Sequence, residues 1–189
     1  QPFRRWYVGG VAQPLGQLAL SVTPTTSAMT IEAEYCSYTA GAIASYGTGC
    51  QGSNGQIPLL ASTSTPDIGT TVTQTVSRLF GPASAVVAIG LSSSTWNGVP
   101  LPFNLGLIGA NSACNLLAEP LVSLPIAINV SGSGNFTIPI ANDPSGVGAH
   151  IYTQVLVVDP FVSSRVPLIV SNGLDMRLGG PSLGGGTCP

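Results

Sequence analysis

The chain has 189 residues, of which only 6% are charged, and its formal net charge is −2. Its hydrophobic fraction of 44% excludes a disordered chain, because disorder combines low hydrophobicity with high charge. Its 24 glycines show no period of three, which excludes a collagen-like chain. Since the basic residues are so few, we expect no nucleic-acid partner.

The shortage of charge also constrains the surface. A small soluble domain usually places ~25–35% charged residues on its surface, which this chain does not have. Such a surface suits a protein that is glycosylated or covered by neighbouring subunits, because low net charge promotes association. Gly, Pro, Ser and Asn interrupt every apolar run well before the ~18 residues of a membrane helix, so we expect no membrane insertion.

Strand patterns recur along the chain, whereas helix patterns are nearly absent. Alternation of apolar and polar residues with a period of two is typical of a half-buried strand, and short β-branched apolar runs indicate buried strands. These patterns predict strands in residues 18–22, 29–36, 70–76, 84–91, 126–130, 135–140, 150–159, 166–171 and 174–178.

Three breaks complete the predicted pattern. Pro125 is expected to interrupt the apolar stretch of residues 118–129. Residues 131–134 (SGSG) are predicted to join their flanking strands as a hairpin. Asn172-Gly173 is the strongest short turn signal in the chain and is predicted to separate its last two strands.

Roughly ten short strands at this spacing predict an all-β fold of the β-sandwich or jelly-roll type. The predicted organisation is an extended N-terminal arm of residues 1–7, a single β-sandwich domain of residues 8–178 and a Gly-rich C-terminal tail of residues 179–189.

The cysteines indicate the compartment. Cys36, Cys50, Cys114 and Cys188 lack the spacing of a zinc site and predict two disulfides, with three connectivities open. Disulfides are typical of exported proteins, so we expect an extracellular or cell-surface protein. Gln1 is interpreted as the mature end left by signal-peptide removal, the alternative being a boundary within a longer protein.

Short motifs follow one another in a fixed order between residues 46 and 178. They are YGTGCQGSNG at 46–55, WNGVPLP at 96–102, CNL at 114–116, NDP at 142–144, YTQ at 152–154, DP at 159–160 and SNGL at 171–174. This set resembles the small exported β-domain found at the C-terminal ends of large secreted proteins of planctomycetes and other environmental bacteria. The resemblance implies a Cys50–Cys114 disulfide, which leaves Cys36 and Cys188 for each other. The resemblance implies no catalytic residues in this chain.

No residue set predicts an enzyme, a cofactor or a metal site. Residues 47–52 match GxGxxG, but no helix pattern follows, so a turn is expected. His150 could act as a general base, but no carboxylate is evident as its partner. Glu32 and Glu34 share a strand face at glycosidase-like spacing and are better interpreted as a solvated face.

Three residues suggest contact with carbohydrate. Asn129 and Asn135 begin N-x-S/T sequons and are candidate glycosylation sites. Trp96, beside Asn97, is a candidate for stacking on a sugar ring, the alternative being a structural turn. Trp96, together with tyrosines, supports an alternative function, a carbohydrate- or surface-binding adhesive module with polysaccharide as its partner.

The N-terminal arm is the leading candidate for assembly. An extended aromatic arm can complete the open sheet edge of a neighbouring copy, and a head-to-tail contact of this kind can run on as a filament. We therefore predict a non-enzymatic structural protein that forms a filament, fibre or sheath by N-terminal strand exchange, with itself as partner. The alternative is that the arm docks on its own domain. The candidate assembly residues are Gln1, Pro2, Phe3, Arg4, Arg5, Trp6 and Tyr7.

Overall fold

A computed structural model of the protein describes residues 3–15, 17–23, 28–35 and 37–182, with only the backbone described at 37, 38, 181 and 182. Strands make up nearly all of the regular structure, together with two short 3₁₀ helices, Leu105–Ile108 and Pro144–Gly146. The predicted all-β class is confirmed. The strands are β1 (Phe3–Val8), β2 (Val11–Ala12), β3 (Ile31–Tyr35), β4 (Ser37–Thr39), β5 (Ala42–Tyr46), β6 (Leu59–Ser62), β7 (Thr71–Ser77), β8 (Ala83–Gly90), β9 (Thr95–Trp96), β10 (Val99–Pro100), β11 (Phe103–Asn104), β12 (Asn115–Leu116), β13 (Val122–Ile128), β14 (Gly134–Pro139), β15 (His150–Val158), β16 (Leu168–Arg177) and β17 (Gly180–Ser182).

Two antiparallel sheets form the sandwich. The larger has the strand order β13-β8-β15-β16-β5 and the smaller has the order β14-β7-β6. Strand β7 shows the expected alternation, because Val72, Gln74 and Val76 are buried while the threonines between them are not. Its valines share one hydrophobic core with Val87 of β8 and Val155 of β15.

A buried polar contact joins the two sheets through the core. The Thr153 hydroxyl on β15 donates to Gln74 Oε1 on β7 at 2.9 Å, and Gln74 Nε2 lies 3.0 Å from the sulfur of Met176 on β16. All three side chains are fully buried. Because a buried amide without partners is costly, this contact favours one alignment of the two sheets.

The segment of residues 91–121, between β8 and β13, packs on the outer face of the larger sheet. It carries β9 to β12, and Gln154 of β15 holds it by accepting from Leu117 N–H at 2.8 Å and donating to Asn115 O at 3.0 Å. The Cys50–Cys114 disulfide, with a Cα–Cα distance of 4.9 Å, attaches the same segment to the loop after β5. The pairing implied by the family resemblance is confirmed for this bond. Cys36 and Cys188 lie outside the described residues.

The prediction of a turn at Asn172-Gly173 is wrong. Both residues lie inside the ten-residue strand β16, where the register shift against β15 marks a β-bulge. The bulge directs the Asn172 side chain to β6, while Gly173 leaves room for Tyr46, whose ring carbon would lie 2.5 Å from an added Cβ. The motif therefore serves packing between strands, which turn propensity does not detect.

Three other local predictions are also wrong. Pro125 does not interrupt β13, because β13 is an edge strand and an edge tolerates the missing N–H. Residues 131–134 do not close a hairpin, because β13 pairs with β8 and β14 pairs with β7 in the other sheet. Residues 18–22 form no strand, since no neighbouring strand pairs with them, and Leu18 is 81% exposed.

Candidate assembly site

The predicted N-terminal arm forms the first strand of a tight hairpin. Strands β1 and β2 are joined by Gly9 and Gly10, whose φ values are +56° and +80°. Positive φ at both central residues is the requirement of a type I′ turn, and glycine meets it without steric cost. The hairpin extends one step further through a hydrogen bond from Gln13 N–H to Trp6 O at 2.8 Å.

This hairpin docks on β3 of the same chain. Strands β1 and β3 pair antiparallel over Trp6↔Ala33, Tyr7↔Glu32 and Val8↔Ile31, with a register shift between Phe3 and Arg5. Of the candidate assembly residues, Phe3 to Tyr7 thus belong to β1, whereas Gln1 and Pro2 lie outside the described residues. The structure holds the self-docked arrangement that the sequence left open; exchange between copies stays a prediction.

Glu34 connects the two strands through charged groups. Its carboxylate accepts from Arg4 Nη1 at 2.6 Å and from the Tyr7 hydroxyl at 3.2 Å, and Arg5 Nε lies 3.3 Å away. Arg4 is 7% exposed. This role of Glu34 was missed because the two strands are about 30 residues apart in sequence, and only their pairing brings Arg4 and Arg5 to a glutamate.

Aromatic and aliphatic groups flank this ion cluster. The rings of Phe3 and Trp6 have centroids 5.0 Å apart, and Phe3 meets Tyr35 edge-on at 5.9 Å. Val11, Ile31 and Tyr35 are each about half exposed or more, at 64%, 49% and 54%. The β2-β1-β3 sheet therefore presents apolar side chains to the surroundings.

Trp96 lies at a cleft between the 91–121 segment and the larger sheet. The cleft has a volume of about 320 Å³, and all its lining residues are apolar, among them Phe103 and Leu105 of the segment and Leu156 and Leu168 of the sheet. The Trp96 ring packs partly buried against the core. The residues that line the cleft supply no polar side chain for a sugar hydroxyl, so sugar stacking at Trp96 stays a prediction that the cleft does not favour.

The structure also contains a polar groove that the sequence patterns did not predict. It has a volume of about 450 Å³ and is lined by Gln51 of the loop after β5, Asn111 of the 91–121 segment, and Phe161 and Ser163 of the β15–β16 loop. Phe161 is 67% exposed and meets Phe80 at 4.9 Å. Asp159 fixes the groove wall by accepting from Ser53 N–H and Oγ, both at 2.8 Å.

The sequons lie at the surface. Asn129 is in the turn between β13 and β14, where its Oδ1 accepts from Ser131 N–H and Ser133 N–H at 3.0 and 3.1 Å. Asn135 is exposed on β14. Both positions are accessible, and their glycosylation stays a prediction.

His150 has a carboxylate partner that the sequence did not reveal. Its Nδ1 lies 2.6 Å from Asp175 Oδ1 on the adjacent strand β16, and its ring stacks on Tyr152. Tyr152 in turn meets Tyr46 edge-on, and the Tyr46 hydroxyl donates to Leu117 O at 3.0 Å. Burial, helped by the nearby Tyr152 and Asp175, raises the pKa of Tyr46 well above its ordinary value.

No protein-family model matches this chain, and no curated protein and no solved structure similar to it was found. The resemblance to the exported bacterial β-domain therefore stays a prediction. In the described part of the chain no helix has the length and apolar character needed to cross a membrane, and no three His, Cys, Asp or Glu side chains are grouped as metal ligands.

Proposed function

We propose that this protein is a non-enzymatic extracellular structural subunit that assembles by exchanging its N-terminal β1–β2 hairpin between copies. The observation that carries the proposal is the way in which the hairpin is attached. It docks on β3 through backbone pairing and the Glu34 cluster, while its covalent connection to β3 runs through residues 13–30. The described residues of this connection form no strand or helix.

A connection of this length permits exchange. Eighteen residues span at most about 60 Å when extended, at roughly 3.3–3.6 Å per residue. This length allows the hairpin to reach β3 of an adjacent subunit. The contacts on β3 are the same whichever copy supplies the hairpin, so exchange loses no pairing. Reciprocal exchange closes a dimer, whereas head-to-tail exchange propagates as a filament.

The surface composition supports association. Only 6% of the residues are charged, and the sheet that carries the hairpin exposes Val11, Ile31 and Tyr35. A surface with few charges offers little electrostatic repulsion between copies. The disulfide is compatible with the extracellular setting that we propose.

Cross-copy disulfide trapping tests the exchange. Val8 and Ile31 are register partners, so a Val8→Cys copy mixed with a tagged Ile31→Cys copy forms a mixed disulfide dimer only if β1 of one copy pairs with β3 of the other. We expect this dimer after denaturation, refolding together and mild oxidation. The matched control pairs Val8→Cys with Val122→Cys, a half-exposed residue of β13.

A double variant of one copy, Val8→Cys with Ile31→Cys, reports whether the self-docked register forms at all. If it closes within single copies while the mixed sample gives no more dimer than the Val122→Cys control, exchange is wrong. If the mixed dimer does form, electron micrographs of the untagged chain show whether the exchanged copies form fibres or closed dimers.

Polysaccharide binding is a second candidate function, favoured by the polar groove. An exposed aromatic ring beside amide and hydroxyl groups provides a face for a sugar ring and partners for its hydroxyls. We expect Phe161→Ala to reduce binding to any insoluble polysaccharide that retains the protein. Leu107→Ala, at a residue 78% exposed, is the control, and equal retention of both variants would exclude this groove.

A further inference from the structure

We propose that β5 is a second assembly surface, which pairs antiparallel with β5 of another copy to continue the larger sheet across two subunits. The proposal does not depend on hairpin exchange. It starts from the edges of the sandwich, because an unpaired strand edge presents a row of N–H and C=O groups to which another strand can add.

Three of the four edges carry a feature that limits pairing. Pro125 at the centre of β13 has no N–H to donate, and Pro139 shortens the available edge of β14 at its C-terminal end. On β6, the side chain of Asn172 occupies both backbone groups of Leu60, accepting from its N–H at 2.8 Å and donating to its carbonyl at 3.0 Å. At Leu60, these backbone groups are therefore not available to an additional strand.

The fourth edge, β5, carries no such feature. It contains neither proline nor charge, and β16 is its one strand partner within the described residues. Ala42, Ala44 and Ser45 are exposed. Gly41, just before the strand, donates its N–H to Asp67 Oδ1 at 2.9 Å, so the available edge begins at Ala42.

The side chains favour a second copy as the occupant. A strand that pairs antiparallel with itself places identical residues near one another, and like charges in such positions are destabilising. The uncharged β5 segment avoids this repulsion, and a two-fold arrangement centred on Ala44 satisfies both edges at once. The result is a sheet of ten strands, five from each subunit.

Cysteine trapping at the two-fold position gives a direct test. We expect Ala44→Cys in the full chain to form a disulfide-linked dimer under mild oxidation. Ser123→Cys, an exposed residue on the opposite edge strand β13, serves as the matched control. Dimer formation by Ala44→Cys alone supports the proposal, and equal dimer formation by both variants overturns it.

A charged residue on the edge gives the converse test. We expect Ala44→Lys to lose the β5-dependent dimer in sedimentation velocity, while Ser123→Lys retains it. Association of Ala44→Lys equal to that of Ser123→Lys would overturn the proposal. Trapping between Val8→Cys and Ile31→Cys copies reports hairpin exchange separately, so failure of one surface is distinguishable from failure of the other.

Discussion

Asn172 of β16 binds both backbone groups of Leu60 on β6, with its Oδ1 2.8 Å from Leu60 N and its Nδ2 3.0 Å from Leu60 O. Its Nδ2 also donates to Ser45 Oγ on β5 at 2.9 Å. One side chain therefore links both sheets of the sandwich. Asn172 is 6% exposed, so water does not readily replace these bonds.

Replacing Asn172 is expected to destabilise the whole domain. Asn172→Ala leaves the N–H and carbonyl of Leu60 without their partners in a buried position, and we expect a loss of about 1–3 kcal/mol in the free energy of unfolding. Asn135→Ala, on the exposed face of β14, is the control. Denaturant unfolding measures both, and equal stability of the two variants would contradict the role given to Asn172.

Replacing Glu34 is expected to loosen the hairpin. Glu34→Gln removes the charge that faces Arg4 and Arg5, and hydrogen bonds to charged groups contribute about 1.5–3 kcal/mol. We expect faster amide hydrogen exchange in residues 3–12, with little change in β7 or β8. Glu32→Gln, an exposed neighbour on β3, is the control. Unchanged exchange in residues 3–12 would show that backbone pairing alone holds the hairpin.

Removing the disulfide is expected to lower stability substantially. The bond joins cysteines 64 residues apart, and restriction of a loop of that length in the unfolded chain corresponds to about 4 kcal/mol. Thermal unfolding of Cys50→Ala with Cys114→Ala should therefore occur at clearly lower temperature. A loss below about 1 kcal/mol would mean that Gln154 and the core hold the 91–121 segment without the bond.

Tyr46 predicts a stability change at alkaline pH. Burial raises the pKa of its hydroxyl in the folded state, so the folded protein binds this proton more tightly than the unfolded chain does. The resulting stability is fully present below pH about 10, the ordinary pKa of tyrosine, and declines as pH rises above it. Tyr46→Phe should show a shallower alkaline decline than the wild type. Tyr152→Phe is the control and should keep most of the decline.

Sequence patterns predict a strand well when one face of the strand is buried and the other is exposed, because apolar and polar residues then alternate. Strand β7 was predicted within one residue at each end, because its valines alternate with threonines. Asn172 and Pro125 show the limit. The bulge in β16 and the edge position of β13 depend on which strands pair with them. An asparagine or a proline in the sequence does not indicate those partner strands.

The candidate assembly site was predicted in the same partial way. The aromatic and basic composition of β1 was evident, but its pairing with Glu34 required knowledge of which strands are adjacent. The same is true of the His150–Asp175 contact in the larger sheet. The polar groove was missed because its walls come from segments about 50 residues or more apart in sequence. Local sequence patterns do not indicate which distant strands pair.

The Cys50–Cys114 bond also has a mechanical consequence. In an assembly that is pulled through the chain on either side of this bond, tension passes directly from residue 50 to residue 114 through the two sulfurs. The covalent path bypasses the residues between them, which include β6, β7 and β8, and these residues cannot be drawn out. About 220 Å of contour length, at ~3.5 Å per residue, therefore stays stored, so each subunit resists extension while the bond is intact.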